Sequence, residues 1–378
     1  MTPRQMHEVA PAQERAVMVA APRKGSAEAR LVHEHLDELA RLADTAGAKI
    51  VGRLVQVVPK PSTEFYLGKG KVEELKAQLA EQGATIVFFD AELSPAQGKN
   101  LEEELKVRIM DRTEVILDIF ALRARSSEAR MQVELAQLEY MLPRLARMWT
   151  HLSRIRGGIG LRGPGETQIE TDRRMIRQKI GVLKKKLDEV AAHRERVRAR
   201  TRERGVRSIA LVGYTNAGKS SLLRALTRTD AHVEDRLFAT LDTQSREAVL
   251  GQAALGGKPD AVRITDTVGF IRKLPHGLVA SFRATLEEAL DASVLLHVVD
   301  AAHPDWEEQA SVVFEVLADA GLPAEKRIVV ALNKADQLDE ADRADRLHMA
   351  HERGWHAVLV SATTGEGLDG LRRSLIAE

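Results

Sequence analysis

The chain contains no cysteine among its 378 residues. Disulfide bonds and every zinc site that needs a thiolate ligand are therefore excluded. The absence agrees with a reducing compartment, where thiols do not form lasting disulfides, but it does not prove one.

Long apolar runs are also missing. The longest, such as VLLHVV at 294–299, fall far short of the ~20 apolar residues that a membrane-spanning helix needs. The first residues, MTPRQMHEVAPAQER, lack the apolar centre of a secretory signal, and no lipidation motif is present. We therefore expect a cytoplasmic protein with no membrane partner. We also expect a monomer and a disordered segment over 1–14.

The net charge is only +1, but the charge is distributed unevenly. Residues 144–204 carry 18 Lys and Arg against 7 Asp and Glu, a net charge of +11, so the rest of the chain carries −10. Such asymmetry predicts one basic element that binds a polyanion. The alternative is a solvated helical face. The coincidence of the charge with a glycine-rich stretch favours binding.

The first third of the sequence alternates between strand and helix patterns. Strands are predicted at 16–21, 49–58, 84–90 and 106–112, and helices at 26–46, 71–83 and 94–105. This alternation predicts a small α/β domain with a largely parallel sheet over 15–122. A short GKGK stretch at 68–71 lies at a helix start, where it could hold a phosphate or simply form a turn and helix cap.

Two arrays of apolar residues at alternating spacings of four and three follow this domain. The first comprises Met131, Leu135, Leu138, Leu142, Leu145 and Trp149, and the second comprises Ile176, Ile180, Leu183, Leu187 and Val190. These arrays predict two helices that form an antiparallel hairpin over 123–205, with Pro143 kinking the first helix. The second helix is expected to have about 27 residues and a length of roughly 40 Å. The stretch GGIGLRGPGETQIETDRR at 157–174 would form most of a tip loop over 150–172.

The stretch RSIALVGYTNAGKSSLLRAL at 207–226 is typical of a strand, a glycine-rich loop and a helix. Its segment GYTNAGKS matches G-x-x-x-x-G-K-[ST], the loop whose backbone N–H groups hold nucleotide phosphates. In this motif Lys219 would contact the β- and γ-phosphates and Ser220 would ligate Mg²⁺. Further strands within 206–378 predict a doubly wound, mainly parallel α/β domain.

Three more motifs each come at the end of a predicted strand. In DTVG (266–269), Asp266 can hold Mg²⁺ through water, and the Gly269 N–H can contact a γ-phosphate. In NKAD (333–336), Asp336 can accept hydrogen bonds from guanine N1–H and the 2-amino group, neither of which adenine offers. The backbone of SAT (361–363) can contact guanine O6. Together the motifs predict a guanine nucleotide.

Two positions bear on the hydrolysis mechanism. Phe270 follows DTVG where Ras-like GTPases carry the glutamine that orients the attacking water, so we expect hydrolysis that is slow alone and stimulated by a partner. Asn216 could ligate K⁺ beside the phosphates, or it could only stabilise the loop. The segment LFATLDT at 237–243 offers Thr240 and Thr243 as switch threonines for Mg²⁺.

The candidate site residues fall into three groups. Those expected to act in catalysis are Lys219, Gly269 and, on the strength of the family resemblance described next, Thr240. Those expected to bind GTP are Gly213, Tyr214, Thr215, Asn216, Ala217, Gly218, Lys219, Ser220, Ser221, Phe238, Ala239, Thr240, Leu241, Asp242, Asp266, Thr267, Val268, Gly269, Asn333, Lys334, Asp336, Ser361, Ala362 and Thr363. Those expected to bind RNA are Arg154, Arg156, Gly157, Gly158, Arg162, Gly163, Gly165, Arg173 and Arg174.

The motifs GYTNAGKSS, FATLD, DTVGFI, NKAD and above all GGIGLRGPGETQIETDRR resemble those of the HflX family of translation-factor-related GTPases, over nearly the whole chain. The resemblance implies an N-terminal HflX domain, a helical linker and a GTPase domain. It also implies Mg²⁺-dependent GTP hydrolysis, with Ser220 and Thr240 as Mg²⁺ ligands. Some family members carry a further C-terminal domain, whereas here we expect only a closing helix after SATTGEG.

The resemblance further implies binding to the ribosome, chiefly to its large subunit, and dissociation or rescue of stalled ribosomes under stress. The glycine- and arginine-rich tip would then enter ribosomal RNA, with arginines contacting phosphates and stacking on bases. One alternative is a GTPase that assists ribosome assembly or RNA modification. Another is a signalling switch with protein partners only, against which the basic segment argues.

Overall fold

The computed structural model describes residues 13–145, 165–203, 207–227, 237–238, 244–250, 261–273 and 289–377. Among these, one compact unit comprises 13–119 with residues 144 and 145, and the other comprises 120–143 and the described residues from 165 onward. The division of the chain at residues 122 and 205 stays a prediction. No helix in the described ranges is both long enough and apolar enough to cross a membrane.

The first unit contains the four-stranded parallel sheet that the sequence predicts. Its strands are β1 (Arg15–Ala20), β2 (Lys49–Val55), β3 (Ile86–Phe89) and β4 (Arg108–Asp111), in the order β2-β1-β3-β4. Apart from the exposed Arg15, the residues of β1 and β3 are apolar and buried, as is typical of the central strands of a parallel sheet.

The helices of this region are α1 (Ala27–Arg30), α2 (Val32–Thr45), α3 (Lys69–Gln82), α4 (Pro95–Leu105) and α5 (Arg112–Arg123). The prediction of one helix over 26–46 was wrong in one respect, because Leu31 departs from helical geometry and separates α1 from α2. Helix α4 begins where predicted, since Ser94 and Gln97 form a reciprocal capping box ahead of the first-position proline. The GKGK stretch acts as a helix cap, with the Gly68 N–H donating to Gln56 Oε1 over 2.9 Å.

A buried ionic cluster joins α2 to the carboxyl edge of this sheet. The Arg112 guanidinium donates to Asp90 Oδ1 over 2.8 Å and also to Glu38, and all three side chains are at most 5% exposed. Because an unpaired buried charge is costly, the three groups must fold together.

The second unit contains helices α6 (Ser127–Met141) and α7 (Gly165–Glu203), which pack together as predicted. Helix α6 carries only Met131, Leu135 and Leu138 of the first array, because it ends at Met141, and Pro143 lies in a separate 3-10 helix (Leu142–Arg144) instead of kinking α6. Ion pairs flank the apolar contact, including Lys184 with Glu139 at 2.8 Å and Arg194 with Glu128 at 2.7 Å. The tip loop was predicted too long, because α7 begins at Gly165 and has 39 residues instead of about 27.

The strands of the second sheet, in the order β10-β9-β8-β5-β7-β6, are β5 (Arg207–Gly213), β6 (Gln244–Val249), β7 (Ala261–Asp266), β8 (Val294–Asp300), β9 (Ile328–Asn333) and β10 (Ala357–Leu359). Among them only β6 and β7 pair antiparallel. The associated helices are α8 (Lys219–Thr227), α9 (Trp306–Asp319), α10 (Glu340–Glu352) and α11 (Leu368–Ile376). Because the five strands besides β6 run parallel to one another, their carboxyl ends meet at one edge, where ligands of doubly wound folds bind.

Candidate nucleotide-binding site

The loop between β5 and α8 is shaped by two glycines with no room for a side chain. A Cβ on Gly213 would lie 2.2 Å from the Val298 carbonyl oxygen. A Cβ on Gly218, whose φ is +94°, would lie 2.2 Å from Asn333 Nδ2. The loop therefore presents bare backbone at the start of α8, where N–H groups bind anions.

Lys219 is the cation of this loop. Its Nζ donates to the carbonyls of Gly213 and Tyr214 over 3.0 and 2.8 Å, and the residue is 7% exposed. Burial lowers the pKa of Lys219 to about 8, although the nearby Asp266 carboxylate opposes the shift. A desolvated ammonium held this way gains much from a neighbouring phosphate, because opposite charges attract more strongly at low dielectric.

Ser220 and Asp266 bring a hydroxyl and a carboxylate together. Ser220 Oγ donates to Asp266 Oδ2 over 2.6 Å, and Asp266 is 1% exposed at the end of β7. The following Thr267 is fixed by its hydroxyl, which donates to the Leu211 carbonyl over 2.7 Å. Oxygen ligands of this kind are those that Mg²⁺ prefers, so the pair fits the predicted metal.

The segment after DTVG is paired to the phosphate-binding loop. The Thr215 N–H donates to the Phe270 carbonyl over 2.7 Å, and the Phe270 N–H donates to the Gly213 carbonyl over 3.1 Å. The Arg272 N–H donates to Tyr214 Oη over 2.9 Å. The Phe270 side chain is buried, so it cannot orient a water molecule, as the sequence indicates.

Asn333 connects three of the predicted motifs. Its Nδ2 donates to the Ala217 carbonyl over 2.9 Å, and its Oδ1 accepts from the Ala362 N–H over 3.0 Å. The next residue, Lys334, has a φ of +65° and forms a 2.6 Å ion pair with Asp300. NKAD, SAT and the phosphate-binding loop are therefore held at the same sheet edge.

The remaining predicted residues are placed as follows. Asp336 is exposed in a turn after β9, Ser361 is fully buried, and Ser221 is half-buried in the first turn of α8. Phe238 is buried in edge-to-face contact with Phe120, their ring centroids 4.6 Å apart, so its side chain packs in the protein. Outside the described residues lie Ala239, Thr240, Leu241, Asp242, Thr243, Arg154, Arg156, Gly157, Gly158, Arg162 and Gly163.

Sequence reasoning missed two contacts of this site. The Tyr214 hydroxyl had no predicted role, because its bond to Arg272 joins residues 58 positions apart. Asp300, the partner of Lys334, carried a usable signal, since it ends β8 as Asp266 ends β7.

A histidine that the motifs do not include lies beneath this site. His297 on β8 is 1% exposed, its ring contacts Phe314 edge to face, and neither ring nitrogen has a hydrogen-bond partner among the described residues. Burial, reinforced by the positive charge of Lys219, lowers the pKa of His297 to about 3. The imidazole is therefore neutral in the folded protein at neutral pH.

Acid should destabilise the protein through His297. Because the pKa is lower in the folded state, the unfolded state binds the proton first, and stability falls as the pH drops below about 6.5. Between pH 7 and pH 5 this residue should account for about 2 kcal/mol of the unfolding free energy. Urea unfolding at the two pH values should show that the unfolding free energy of His297→Leu falls by about 2 kcal/mol less than that of the wild type.

The matched control for this prediction is His348→Leu on the exposed face of α10, which should leave the wild-type pH dependence in place. An H297L variant with the full wild-type acid sensitivity would contradict the assignment.

Three family models match successive parts of the chain. They are described as "GTP-binding GTPase N-terminal" (residues 33–121), "GTP-binding GTPase Middle Region" (123–201) and "50S ribosome-binding GTPase" (208–334). A crystal structure of SsGBP in complex with GDP covers 96% of this chain and 97% of its own, at 24% identity and a TM-score of 0.50. At that identity the likeness shows the fold alone.

Relatives matched over most of their length point to the same family as these models. GTPase HflX of Caldanaerobacter subterraneus subsp. tengcongensis is 47% identical over 99% of this chain and 82% of its own length. GTPase HflX of Escherichia coli K12 is 42% identical over 90% of this chain and 78% of its own. With the phosphate-binding loop, the DTVG segment and NKAD assembled at one sheet edge, the chain belongs to the HflX family of GTPases and is a GTP-hydrolysing enzyme.

Proposed function

We propose that this GTPase binds the ribosome, chiefly its large subunit, and dissociates or rescues stalled ribosomes under stress. The observation that carries the proposal is the match of residues 208–334 to a family described as a 50S ribosome-binding GTPase. A second observation supports it, because the +11 segment at 144–204 has the charge that an RNA surface attracts.

In the proposed reaction each motif acts on one part of Mg²⁺-GTP. Lys219 and the loop backbone would hold the β- and γ-phosphates, while Ser220, Thr240 and Asp266 would hold Mg²⁺, the last of them through water. Bound Mg²⁺ neutralises charge that develops on the phosphates. Asp336 selects guanine.

Hydrolysis is proposed to be slow in the free protein and stimulated by the ribosome. The position that would orient the attacking water is Phe270, whose side chain is buried and whose backbone is paired to Gly213 and Thr215. A partner that repositions this segment or supplies a polar group would complete the site.

A potassium ion beside the phosphates is part of the proposal. Asn216 is exposed in the phosphate-binding loop with a φ of +63°. Its amide oxygen is proposed to ligate the cation. Equal turnover in potassium and sodium buffers would leave Asn216 with a structural role in the loop only.

The RNA contact is proposed to lie at the junction before α7. Arg173 and Arg174 are half-buried and exposed, respectively, near the start of this helix. The sequence places Arg154, Arg156 and Arg162 before them, and five glycines lie within 157–165. Arginines flanked by glycines can approach a phosphate backbone closely and stack on bases.

The direct test of the proposed function is GTP turnover with and without purified ribosomal subunits. A turnover below about 1 s⁻¹ alone that rises at least tenfold with large subunits is the expected result. Stimulation by precursor particles or tRNA only would favour a role in assembly or RNA modification. Indifference to every RNA would favour a switch with protein partners.

Replacing Arg156 and Arg162 together by alanine should weaken binding to large subunits by about tenfold at moderate salt, because each lost phosphate contact removes counterion release. The slope of log affinity against log salt should become shallower by roughly two. Co-sedimentation across a salt series measures both quantities.

A suitable control removes two exposed lysines of the first unit, Lys49→Ala with Lys60→Ala, which should leave the binding unchanged. If the two double variants bound the subunit equally well, the glycine- and arginine-rich segment would have no part in RNA recognition.

A further inference from the structure

The turn that carries Asp336 is bound by a side chain from the helix that follows it. Arg343 on α10 donates through Nε to the carbonyls of Ala335 and Leu338 over 3.0 and 3.2 Å. Its Nη2 donates to the Ala335 carbonyl over 2.7 Å. Because Ala335 directly precedes Asp336, these bonds fix the backbone from which the Asp336 carboxylate projects.

The same guanidinium also binds the loop after β10. Arg343 Nη1 lies 2.7 Å from Glu366 Oε1, and Nη2 lies 3.4 Å from Glu366 Oε2. The Glu366 carbonyl in turn accepts from the Ser361 N–H over 2.9 Å, which closes the turn that contains Ala362 and Thr363. Arg343 therefore connects the NKAD turn to the SAT turn, the two segments assigned to the base.

Arginine is the residue type suited to this connection. Its planar guanidinium offers five donors at fixed angles, whereas a lysine ammonium offers a single point of attachment. The contacts already made by Asn333 join SAT to the phosphate-binding loop. At Ala335 the N–H donates to the Val360 carbonyl over 3.1 Å, and Arg343 adds side-chain bonds to the carbonyl of the same residue. The two side chains thus perform different tasks.

We infer that Arg343 is a positioning residue for guanine recognition. It holds the Asp336 turn and the SAT turn in the relative position that selects this base. It lies outside the set of groups assigned to touch the nucleotide and acts through Asp336. The inference rests on the proposed role of Asp336, and the experiment below separates the two.

The experiment measures dissociation constants for GDP and IDP with the full-length chain. Inosine lacks the 2-amino group, from which one Asp336 oxygen would accept a hydrogen bond. The dissociation constant for IDP divided by that for GDP therefore reports how well the carboxylate is placed. In Arg343→Ala the GDP constant should rise about tenfold and the ratio should fall several-fold, because the carboxylate is no longer fixed. The kcat at saturating GTP should stay within about twofold, since the phosphate site is untouched.

Two further variants keep the test decisive if R343A folds poorly. Arg343→Lys should restore part of the ratio, because the ammonium can still donate to one of the acceptors but cannot span all of them. Glu366→Gln should lower the ratio less than R343A does. The control is Arg353→Ala, which removes the same charge just after α10, where the guanidinium pairs with Glu307. It should leave the ratio unchanged.

A wild-type ratio near one would overturn the assignment of Asp336 and, with it, the inference. A high wild-type ratio that persists in folded R343A, R343K and E366Q would overturn the role of Arg343 alone. A reduced ratio in these variants, with normal kcat and an unchanged R353A, would establish it.

Discussion

Replacing Lys219 by alanine is expected to lower kcat for GTP hydrolysis by at least a hundredfold, the order of loss caused by removing one preorganised charge from a transition state. The ammonium lies against the carbonyls of Gly213 and Tyr214, where burial has already removed most of its water. Charge that develops on the transferred phosphoryl group is therefore stabilised by a cation with little competing solvation. Single-turnover hydrolysis at saturating GTP measures the effect.

The matched control for this experiment is Lys326→Ala. Lys326 also donates to two backbone carbonyls, those of Leu290 and Ala292, but it lies outside the phosphate-binding loop. The Lys326→Ala substitution should lower the free energy of unfolding without lowering kcat. A K219A enzyme with kcat near that of the wild type, or a similar loss in K326A, would refute the assigned role of Lys219.

The second large effect is expected for Asp336→Asn, which should lower kcat/KM for GTP by about a hundredfold or more and raise it for XTP. An asparagine amide cannot accept from both N1–H and the 2-amino group, so one guanine donor is left opposite an N–H. Xanthine carries an oxygen in place of the 2-amino group and accepts from the asparagine Nδ2. Competition between GTP and XTP measures the ratio of the two kcat/KM values, which should change in favour of XTP in the variant.

Asp345→Asn is the control for this substitution, since it makes the same chemical change on α10 at a side chain paired with Arg346. It should keep the preference for GTP. If D336N retained that preference, another group would have to select the base.

Much of the site can be predicted from sequence because its chemistry is local. The fixed spacing from Gly213 to Ser220 determines the loop, and DTVG, NKAD and SAT each follow a recognisable strand. The parallel sheet then brings them to one edge without further information. The structure places Lys219, Asp266 and Asn333 together at that edge.

Contacts between distant polar side chains could not be predicted in the same way. Arg343 lies on an exposed amphipathic helix, where an arginine is typical of a solvated face, and its partner Glu366 is 23 residues away. The same holds for Tyr214 and Arg272, which are brought together by the pairing of Phe270 with the phosphate-binding loop. Helix α7 was predicted too short because its first turns are polar and lack the apolar spacing that marks a helix.

The measurement that tests the central proposal most directly is the affinity for purified large ribosomal subunits in the presence of a non-hydrolysable GTP analogue or GDP. If the nucleotide site controls an RNA-binding segment, the analogue should give at least tenfold tighter binding, and Asp336→Asn should lose that difference with the guanine analogue and regain it with the xanthine analogue. Equal affinity with both nucleotides would contradict the proposal, because the nucleotide would then have no influence on ribosome binding.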